Sequence, residues 1–300
     1  MAAIKTITTQ KYDYMQGKPG ADFADIIPVI SSFTEYDRDG HTLTEITYMS
    51  DGIVEQKWEY KYNDKGLLIE EILINDEDLV DEKKAYEYNN KGRLVKEFLI
   101  YQDESYDTTE YIYDDEGNLL EKITVDSDDA LESRKEMKYE NSKMICEISY
   151  DAEGNILNEV NYKYDEKGNE IEITRFNAGE NKTIRTEFVF NEKGERIETL
   201  TYNSKEELIA RSEHEEDNKG QLIKIIEEDR FNYSSTTITY DERGNMTEQL
   251  ETNKAGELSS RINRKFGENN KLIEVAVTID RHGKALNQNY VIQYLYEYYG

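Results

Sequence analysis

The sequence predicts an all-β protein, a long antiparallel meander of about ten two-strand repeats of 25–26 residues that form a curved or coiled single sheet. Three observations predict this fold class: regularly spaced glycines, short alternating segments between them, and almost no proline. Together they indicate strands that turn back on one another at regular intervals.

The glycines mark the repeat. One set has spacings of 26, 25, 51, 26, 26 and 24 residues, and the gap of 51 is two periods with Lys143 at the missing position. Further steps of 26 residues reach Asn270 in one direction and Gly40 in the other. The set, which we predict to be structural turn residues, is Gly66, Gly92, Gly117, Gly168, Gly194, Gly220 and Gly244.

Each of these glycines lies in a similar local pattern, of which Tyr62-Asn-Asp-Lys-Gly66 is an example. An Asn or Asp side chain caps a type I turn, and glycine adopts the left-handed conformation that ends it. We call these the main turns. Asn270 suits that conformation next best, whereas Lys143 does not, so the turn before Lys143 is expected to be strained or differently built.

A second turn signal lies midway through each unit, as at Asn75–Asp78 and Asp151–Gly154. We call these the secondary turns. The intervening segments, such as Leu119–Val125, alternate and are rich in Ile, Val, Thr and Tyr, which is typical of strands. No proline follows Pro28, as expected where backbone N–H groups join a ladder. Because open sheets rarely stay flat beyond about ten strands, a sheet of roughly twenty should curl, coil or close on itself.

Pairs of aromatic residues two apart precede the main turns, and residues i and i+2 share a face of a strand. Their rings should therefore line up in ribs across the sheet, either as its core or as a stacking surface for sugar rings or an extended peptide. The residues predicted as a ligand or partner surface are Trp58, Tyr60, Tyr86, Tyr88, Tyr111, Tyr113, Tyr162 and Tyr164.

The opposite face is expected to be dominated by Glu, Lys, Thr and Ser, as at Glu59, Lys61, Glu87 and Glu110. Interleaved Glu and Lys would pair across strands. Two interpretations of its acidity remain open: solubility of a broad sheet, or a docking surface for a basic partner.

Both ends of the chain depart from the repeat. Residues 1–30 hold both prolines and are predicted to form an N-terminal cap, residues 31–288 the repeat array, and residues 289–300 a Tyr-rich C-terminal cap strand. The alternative for the tail is a strand donated to another molecule.

Charge and composition exclude several classes of function. With 65 acidic and 37 basic residues, the net charge of -28 would repel nucleic acid and anionic lipid. No apolar run is long enough for a membrane span, and the start, Met1-Ala-Ala-Ile-Lys-Thr, lacks a basic region followed by an apolar stretch. The chain as given is therefore expected to be cytoplasmic, or secreted or surface-exposed if a targeting segment has been removed.

We found no constellation typical of catalysis. The three histidines, His41, His214 and His282, lie in distant units, and no phosphate loop or nucleophile motif is present. Cys146 is alone and is expected to be a small buried hydrophobe. Acidic turns such as Asp126–Asp129 lack the oxygen spacing of a calcium loop. We therefore expect no enzyme activity, no cofactor and no metal.

The main-turn pattern, preceded by Tyr-x-Tyr, resembles the tyrosine-aspartate (YD) repeat of the Rhs family from about Tyr36 to about Leu286. That resemblance implies strands that wind into a hollow shell around a toxin domain. The period here is longer than that family's usual one, and the Pro-containing motif that ends such a shell is absent. The acidic, Gly-poor character is also similar to that of the MORN-type repeats of certain antitoxin proteins.

The expected function is that of a non-enzymatic repeat protein that presents an extended acidic and aromatic β-surface to a protein partner, in particular a basic one. The resemblance implies a toxin-associated shell or immunity component. The alternative is a carbohydrate-binding surface that uses stacked Tyr residues.

Overall fold

A computed structural model describes residues 2–13, 27–281 and 287–300. The described residues form 22 strands and no helix, which confirms the predicted antiparallel β structure. The segment around Phe23 and also His282 lie outside the described residues. The strands are β1 (Ile4–Asp13), β2 (Val29–Tyr36), β3 (Thr42–Tyr48), β4 (Val54–Tyr62), β5 (Leu68–Ile74), β6 (Val80–Tyr88), β7 (Leu94–Ile100), β8 (Tyr106–Tyr113), β9 (Leu119–Val125), β10 (Leu131–Glu140), β11 (Lys143–Tyr150), β12 (Ile156–Tyr164), β13 (Glu170–Asn177), β14 (Lys182–Phe190), β15 (Arg196–Tyr202), β16 (Leu208–Glu216), β17 (Leu222–Asp229), β18 (Tyr233–Tyr240), β19 (Met246–Thr252), β20 (Leu258–Phe266), β21 (Leu272–Ile279) and β22 (Gln288–Tyr298).

The sheet is closed. Each strand pairs antiparallel with the next along the chain, and β1 pairs with both β2 and β22, where Tyr12 lies opposite Val291. The Tyr299 backbone N–H also donates to the Ala3 carbonyl at 3.0 Å. The prediction of a curved or coiled single sheet was therefore wrong: the fold is a closed 22-stranded barrel. Closure satisfies the two edges that an open sheet of this width would expose.

The terminal segments that were expected to act as caps supply the strands that close the barrel. Strand β1 comes from residues 1–30, and β22 spans the boundary at residue 289. These two strands pair with each other from Ile4 to Asp13, and β22 also pairs with β21.

The register sets the width of the barrel. A path that follows the paired residues once around the sheet returns to β1 about 22 residues from where it began, and this offset is the shear of the barrel. For a circular barrel of 22 strands, that shear gives a strand tilt of about 37° and a Cα diameter of about 40 Å. Subtracting side chains on both walls leaves an opening of roughly 25 Å. The ring is therefore hollow.

The exposed surface agrees with a hollow ring. The chain exposes 19375 Å², whereas a compact monomer of this mass exposes about 13,000 Å². Even Met137 and Ile238, among the most buried described residues, keep 6% of their surface exposed. Stability therefore comes from the ladder and from half-buried side chains on both faces. No helix among the described residues has the length and apolar content to cross a bilayer.

Main turns share one geometry. In the turn at Asn63–Gly66, the Asn63 N–H donates to the Leu67 carbonyl at 2.9 Å, and the Asn63 side chain accepts the N–H groups of Lys65 and Leu67. All seven predicted turn glycines have positive φ, from 75° at Gly66 to 98° at Gly117. The turn before Lys143 is built differently, with Asn141 and Ser142 both left-handed between β10 and β11.

Most of the described secondary turns use the same hydrogen bonds, which the sequence pattern did not show, whereas those at 177–182 and 229–232 are built differently. The Asn75 N–H donates to the Leu79 carbonyl at 2.9 Å, as in the main turns. The left-handed position is filled there by a residue other than glycine in several turns, for example Asp78 with φ of 60° and Glu104 with φ of 69°. The two edges of the barrel therefore differ in side chains more than in backbone.

Candidate functional site

The register sorts the side chains into two faces. Tyr60 lies opposite Glu71, and Glu71 lies opposite Lys84, two residues before Tyr86 on the same face of β6. We call this the aromatic face. All the predicted partner-surface residues lie on it, half-buried: Trp58, Tyr60, Tyr86, Tyr88, Tyr111, Tyr113, Tyr162 and Tyr164.

The other face, which we call the charged face, carries Glu59, Lys61, Glu87 and Glu110. Its carboxylates alternate with cations across strands. Glu70 accepts hydrogen bonds from Lys61 and Lys83, and these two ammonium groups lower the pKa of the Glu70 carboxyl. Such pairs make this face a water-compatible surface and leave little of its charge free for a partner.

The aromatic face lies on the inside of the ring. In each of several units the charged-face residue between the last two aromatics, such as Lys61, Glu87 or Lys163, is exposed while the aromatics beside it are half-buried. A cavity that spans β15–β20 is lined mainly by the aromatic-face side, and a curved sheet forms such a cavity on its concave side. The aromatic ribs therefore face the lumen.

The ribs contain two kinds of tyrosine. The ring nearest the main turn ties neighbouring hairpins together: Tyr88 Oη donates to the Leu68 carbonyl at 2.7 Å, and Tyr113 Oη donates to the Leu94 carbonyl at 2.9 Å. The same bond joins Tyr164 to Met144 at 2.8 Å. The main-turn hairpins shift register beside these carbonyls, so the phenol satisfies an acceptor at a bulge.

The second kind of tyrosine holds a carboxylate in the lumen. Tyr60 donates to Glu45 at 3.0 Å, Tyr86 to Glu71 at 2.7 Å, and Tyr111 to Glu97 at 2.7 Å. These glutamates were missed in the sequence, although their 26-residue spacing repeats that of the turns. The rings of Trp58 and Tyr60 stack with centroids 6.4 Å apart. The lumen wall thus offers aromatic rings beside oriented carboxylates.

Burial and these carboxylates raise the pKa of Tyr60, Tyr86 and Tyr111 above the ordinary value for tyrosine. A raised folded-state pKa stabilises the fold below the unfolded value of about 10, and this stabilisation is lost as the pH rises through the folded values. We expect Tyr60, Tyr86 and Tyr111, followed by absorbance at 295 nm, to ionise only well above the unfolded value or on unfolding.

Tyr86→Phe/Tyr111→Phe should reduce the late-titrating absorbance by two tyrosines, with circular dichroism recording whether the protein is still folded. Ionisation of all 24 tyrosines in one step near pH 10 in the folded protein would contradict the placement of these phenols.

The cavity at the secondary-turn edge of β15–β20 has a volume of about 1070 Å³. Phe231, 84% exposed, belongs to the turn at its mouth. Its wall offers hydroxyl and carboxylate groups of the aromatic face, namely Thr199, Thr201, Ser212, Ser234, Glu227 and Glu251.

Two groups have the residue types of reactive sites. Ser212 Oγ lies 3.3 Å from His214 Nε2, but His214 Nδ1 has no hydrogen-bond partner among the described residues, so the carboxylate that would complete a triad is missing there. Burial lowers the pKa of His214. Asp37, Asp39 and His41 lie within reach of one ion, but Asp37 caps its own turn and accepts from His41 at 2.8 Å.

Carboxylate oxygens of the acidic turns accept hydrogen bonds from their own turn. Asp114 accepts from the Gly117 and Asn118 N–H groups, and Asp126 accepts from those of Asp128 and Ala130. These side chains are turn caps. Cys146 is a buried free thiol on the charged face, and burial raises the pKa of its thiol.

No protein-family model and no curated protein matches the chain, so the resemblance to YD repeats rests on the repeat pattern itself. Among solved structures, the chain is similar to the crystal structure of TcdB2-TccC3-Cdc42, with a TM-score of 0.44 and 11% identity over 95% of this chain and 20% of that chain. It is similar to TcdB2-TccC3 without the hypervariable C-terminal region, with a TM-score of 0.37 and 13% identity over 97% of this chain and 18% of that one. The chain thus spans about a fifth of the length of these two structures. It is also similar to a porin-like protein from Bacteroides uniformis, with a TM-score of 0.33 and 10% identity over 98% of both chains.

Proposed function

We propose that the protein is a non-enzymatic binding protein whose closed ring receives a basic polypeptide segment against its aromatic face. The observation that carries the proposal is a hollow ring whose inner wall keeps its aromatic rings half-exposed. A wall of packed core residues would have buried them. An opening of roughly 25 Å admits an extended chain or an α-helix about 10–12 Å across.

The charge of the wall supports a basic segment. Glu45, Glu71 and Glu97 accept hydrogen bonds from tyrosine phenols. Among the described residues, the one ion pair of these three carboxylates joins Glu71 to Lys84 at 3.6 Å. A lysine or arginine side chain entering the lumen would meet a ring face and a carboxylate together, which favours a cation over a neutral chain. The repeat resemblance implies a toxin segment as the partner class.

The test uses the protein's only tryptophan, Trp58, which lies on this wall. Titration with an unfolded poly-L-lysine of about 50 residues should shift the Trp58 emission, and poly-L-glutamate should not. Tyr86→Leu/Tyr111→Leu is expected to weaken binding about tenfold through loss of stacking and of the bound carboxylates' orientation.

The matched control is Tyr150→Leu/Tyr202→Leu, which removes two tyrosines from the charged face. Tyr150 Oη donates to Glu136 at 3.0 Å, as Tyr86 and Tyr111 donate to their glutamates, so the control also removes a phenol that is bound to a carboxylate. We expect less than a twofold change for the control. Equal losses in the two variants, both folded by circular dichroism, would overturn binding in the lumen. Binding of neutral oligosaccharides in place of the polypeptide, with the same Trp58 response, would instead support the carbohydrate alternative.

A further inference from the structure

The two edges of the barrel differ in charge. Most main turns carry a basic residue at or near their tip, as at Arg38, Lys65, Lys91, Lys167, Lys193, Lys219 and Arg243. Five consecutive secondary turns, between β3 and β12, carry none. We call these five turns and their flanking residues the acidic rim; they are residues 49–55, 75–82, 101–107, 126–132 and 151–157.

The acidic rim holds 16 Asp and Glu residues and no Lys, Arg or His. Within the described part of the chain, only Glu82 among them makes an ion pair, with Lys84 at 2.8 Å. The secondary turns that follow β12 are not uniformly acidic, because three of them contain a basic residue, Lys205, Arg230 or Lys254. The rim is therefore a local field of one sign on one part of one edge, whereas the charged face is largely paired.

Exposed apolar side chains occupy the same rim. Ile53 and Leu79 are both 54% exposed, and a further six large apolar residues there are at least 40% exposed: Met49, Val80, Tyr101, Tyr106, Ile156 and Leu157. Scattered apolar residues are ordinary on a surface, but a group of them on four of the five rim turns, all except residues 126–132, marks a contact surface. The exposed apolar residues favour a protein partner, and the surrounding carboxylates favour a partner surface that is positively charged.

The spacing of the turns limits the form of the partner. Neighbouring secondary turns are two strands apart, which at the strand tilt of the barrel is about 10–12 Å along the rim. That distance corresponds to seven or eight residues of α-helix at about 1.5 Å per residue. One helix lying against the rim can therefore bring the same side chain of successive heptads to about three neighbouring turns, before the curve of the ring carries the next turn away from the helix axis.

We propose that the acidic rim docks a partner protein through an amphipathic helix that repeats Lys or Arg beside aliphatic residues every seven positions. Two copies of this chain would not associate rim to rim, because the two acidic surfaces would repel each other. The rim lies outside the lumen, so this inference adds a docking surface to the proposed function and does not depend on lumen binding.

The test is fluorescence anisotropy with a labelled 22-residue peptide of lysine and leucine in heptad spacing, at about 150 mM salt. One variant, Glu77→Gln/Glu104→Gln/Asp128→Asn/Glu153→Gln, removes four rim charges that make no side-chain hydrogen bond among the described residues. A second, Leu79→Ser/Leu157→Ser, removes apolar contacts. Each is expected to weaken peptide binding at least tenfold.

The matched control removes four charges from the main-turn edge, in Asp64→Asn/Glu166→Gln/Glu192→Gln/Glu242→Gln, and should change binding less than twofold. The loss of peptide binding caused by the rim variants should be the same when Tyr86→Leu/Tyr111→Leu is also present, whatever that pair of substitutions does to binding in the lumen, which separates the two proposals. Equal losses in the rim and control charge variants, or equal binding of a scrambled peptide, would overturn the proposal. Concentration-dependent self-association that the rim variant abolishes would identify a second copy as the occupant and would also overturn it.

Discussion

A chain that lacks residues 288–300 is expected to lose the monomeric ring. Removing β22 takes away the partner of both β1 and β21 and exposes two sheet edges at once. Because the barrel has no continuous core to hold the remaining strands in place, we expect unfolding or edge-to-edge aggregation rather than a smaller stable barrel. Size-exclusion chromatography with light scattering would detect either outcome.

A point substitution tests the same seam without shortening the chain. Val291 is 7% exposed and lies opposite Tyr12, itself 9% exposed. Val291→Asp places a carboxylate there and should reduce the free energy of unfolding by about 2–4 kcal/mol. Val291→Thr, which keeps the branched shape, is the control and should cost less. A truncated chain that remains a monomer with an unchanged melting temperature would show that β1 and β22 do not close the ring in solution. Addition of a peptide of residues 287–300 should restore the monomer if they do.

Gly92→Val and Gly117→Val are each expected to reduce the free energy of unfolding by about 1–3 kcal/mol. Both glycines end a main turn in the left-handed region, with φ of 77° and 98°, where a β-branched residue is strained. The two sites differ in their surroundings. A Cβ at Gly92 has ordinary contact with Leu67 at 3.9 Å, whereas one at Gly117 would displace the Arg93 guanidinium, which packs near Tyr113.

Urea denaturation would measure the loss of stability in both variants. The variant at Gly92 reports the cost of the left-handed backbone alone, because its side chain displaces no neighbour. Gly92→Asn is the matched control, because Asn270 adopts φ of 60° at the equivalent position of another repeat. We expect the Asn variant to cost clearly less than the Val variant. Unchanged urea midpoints for both Val variants would rule out the main-turn geometry described above.

Local features of the fold could be predicted from the sequence because local chemistry determines them. Asn63 and Gly66 contain the whole of a turn within four residues, and the alternation in Leu119–Val125 is the alternation of a strand. The common face of Tyr60 and Tyr86 follows from the two-residue period of a strand. The bond from Tyr88 to Leu68 could not be predicted in this way, because it joins neighbouring hairpins at a bulge 20 residues away.

The candidate site was predicted only in part. The aromatic residues were identified, but their division into hairpin ties such as Tyr113 and lumen residues such as Tyr111 depends on which acceptor each phenol reaches. Glu45, Glu71 and Glu97 were missed because acidic residues are abundant on both faces, so their spacing alone did not distinguish them. The acidic rim was not recognised either, since the edge to which a turn belongs matters only once the strands are in place.

By itself, the sequence determined the repeat, the strands and turns, the strong acidity and the sharing of one face by the aromatic residues, all of which arise from interactions within a single hairpin. Only the tertiary structure decided that the sheet closes, that the aromatic face lies inside and that the ring is hollow. The physical reason is that closure depends on the sum of small register offsets over all 22 strands, which brings β22 beside β1, and no single repeat contains that sum.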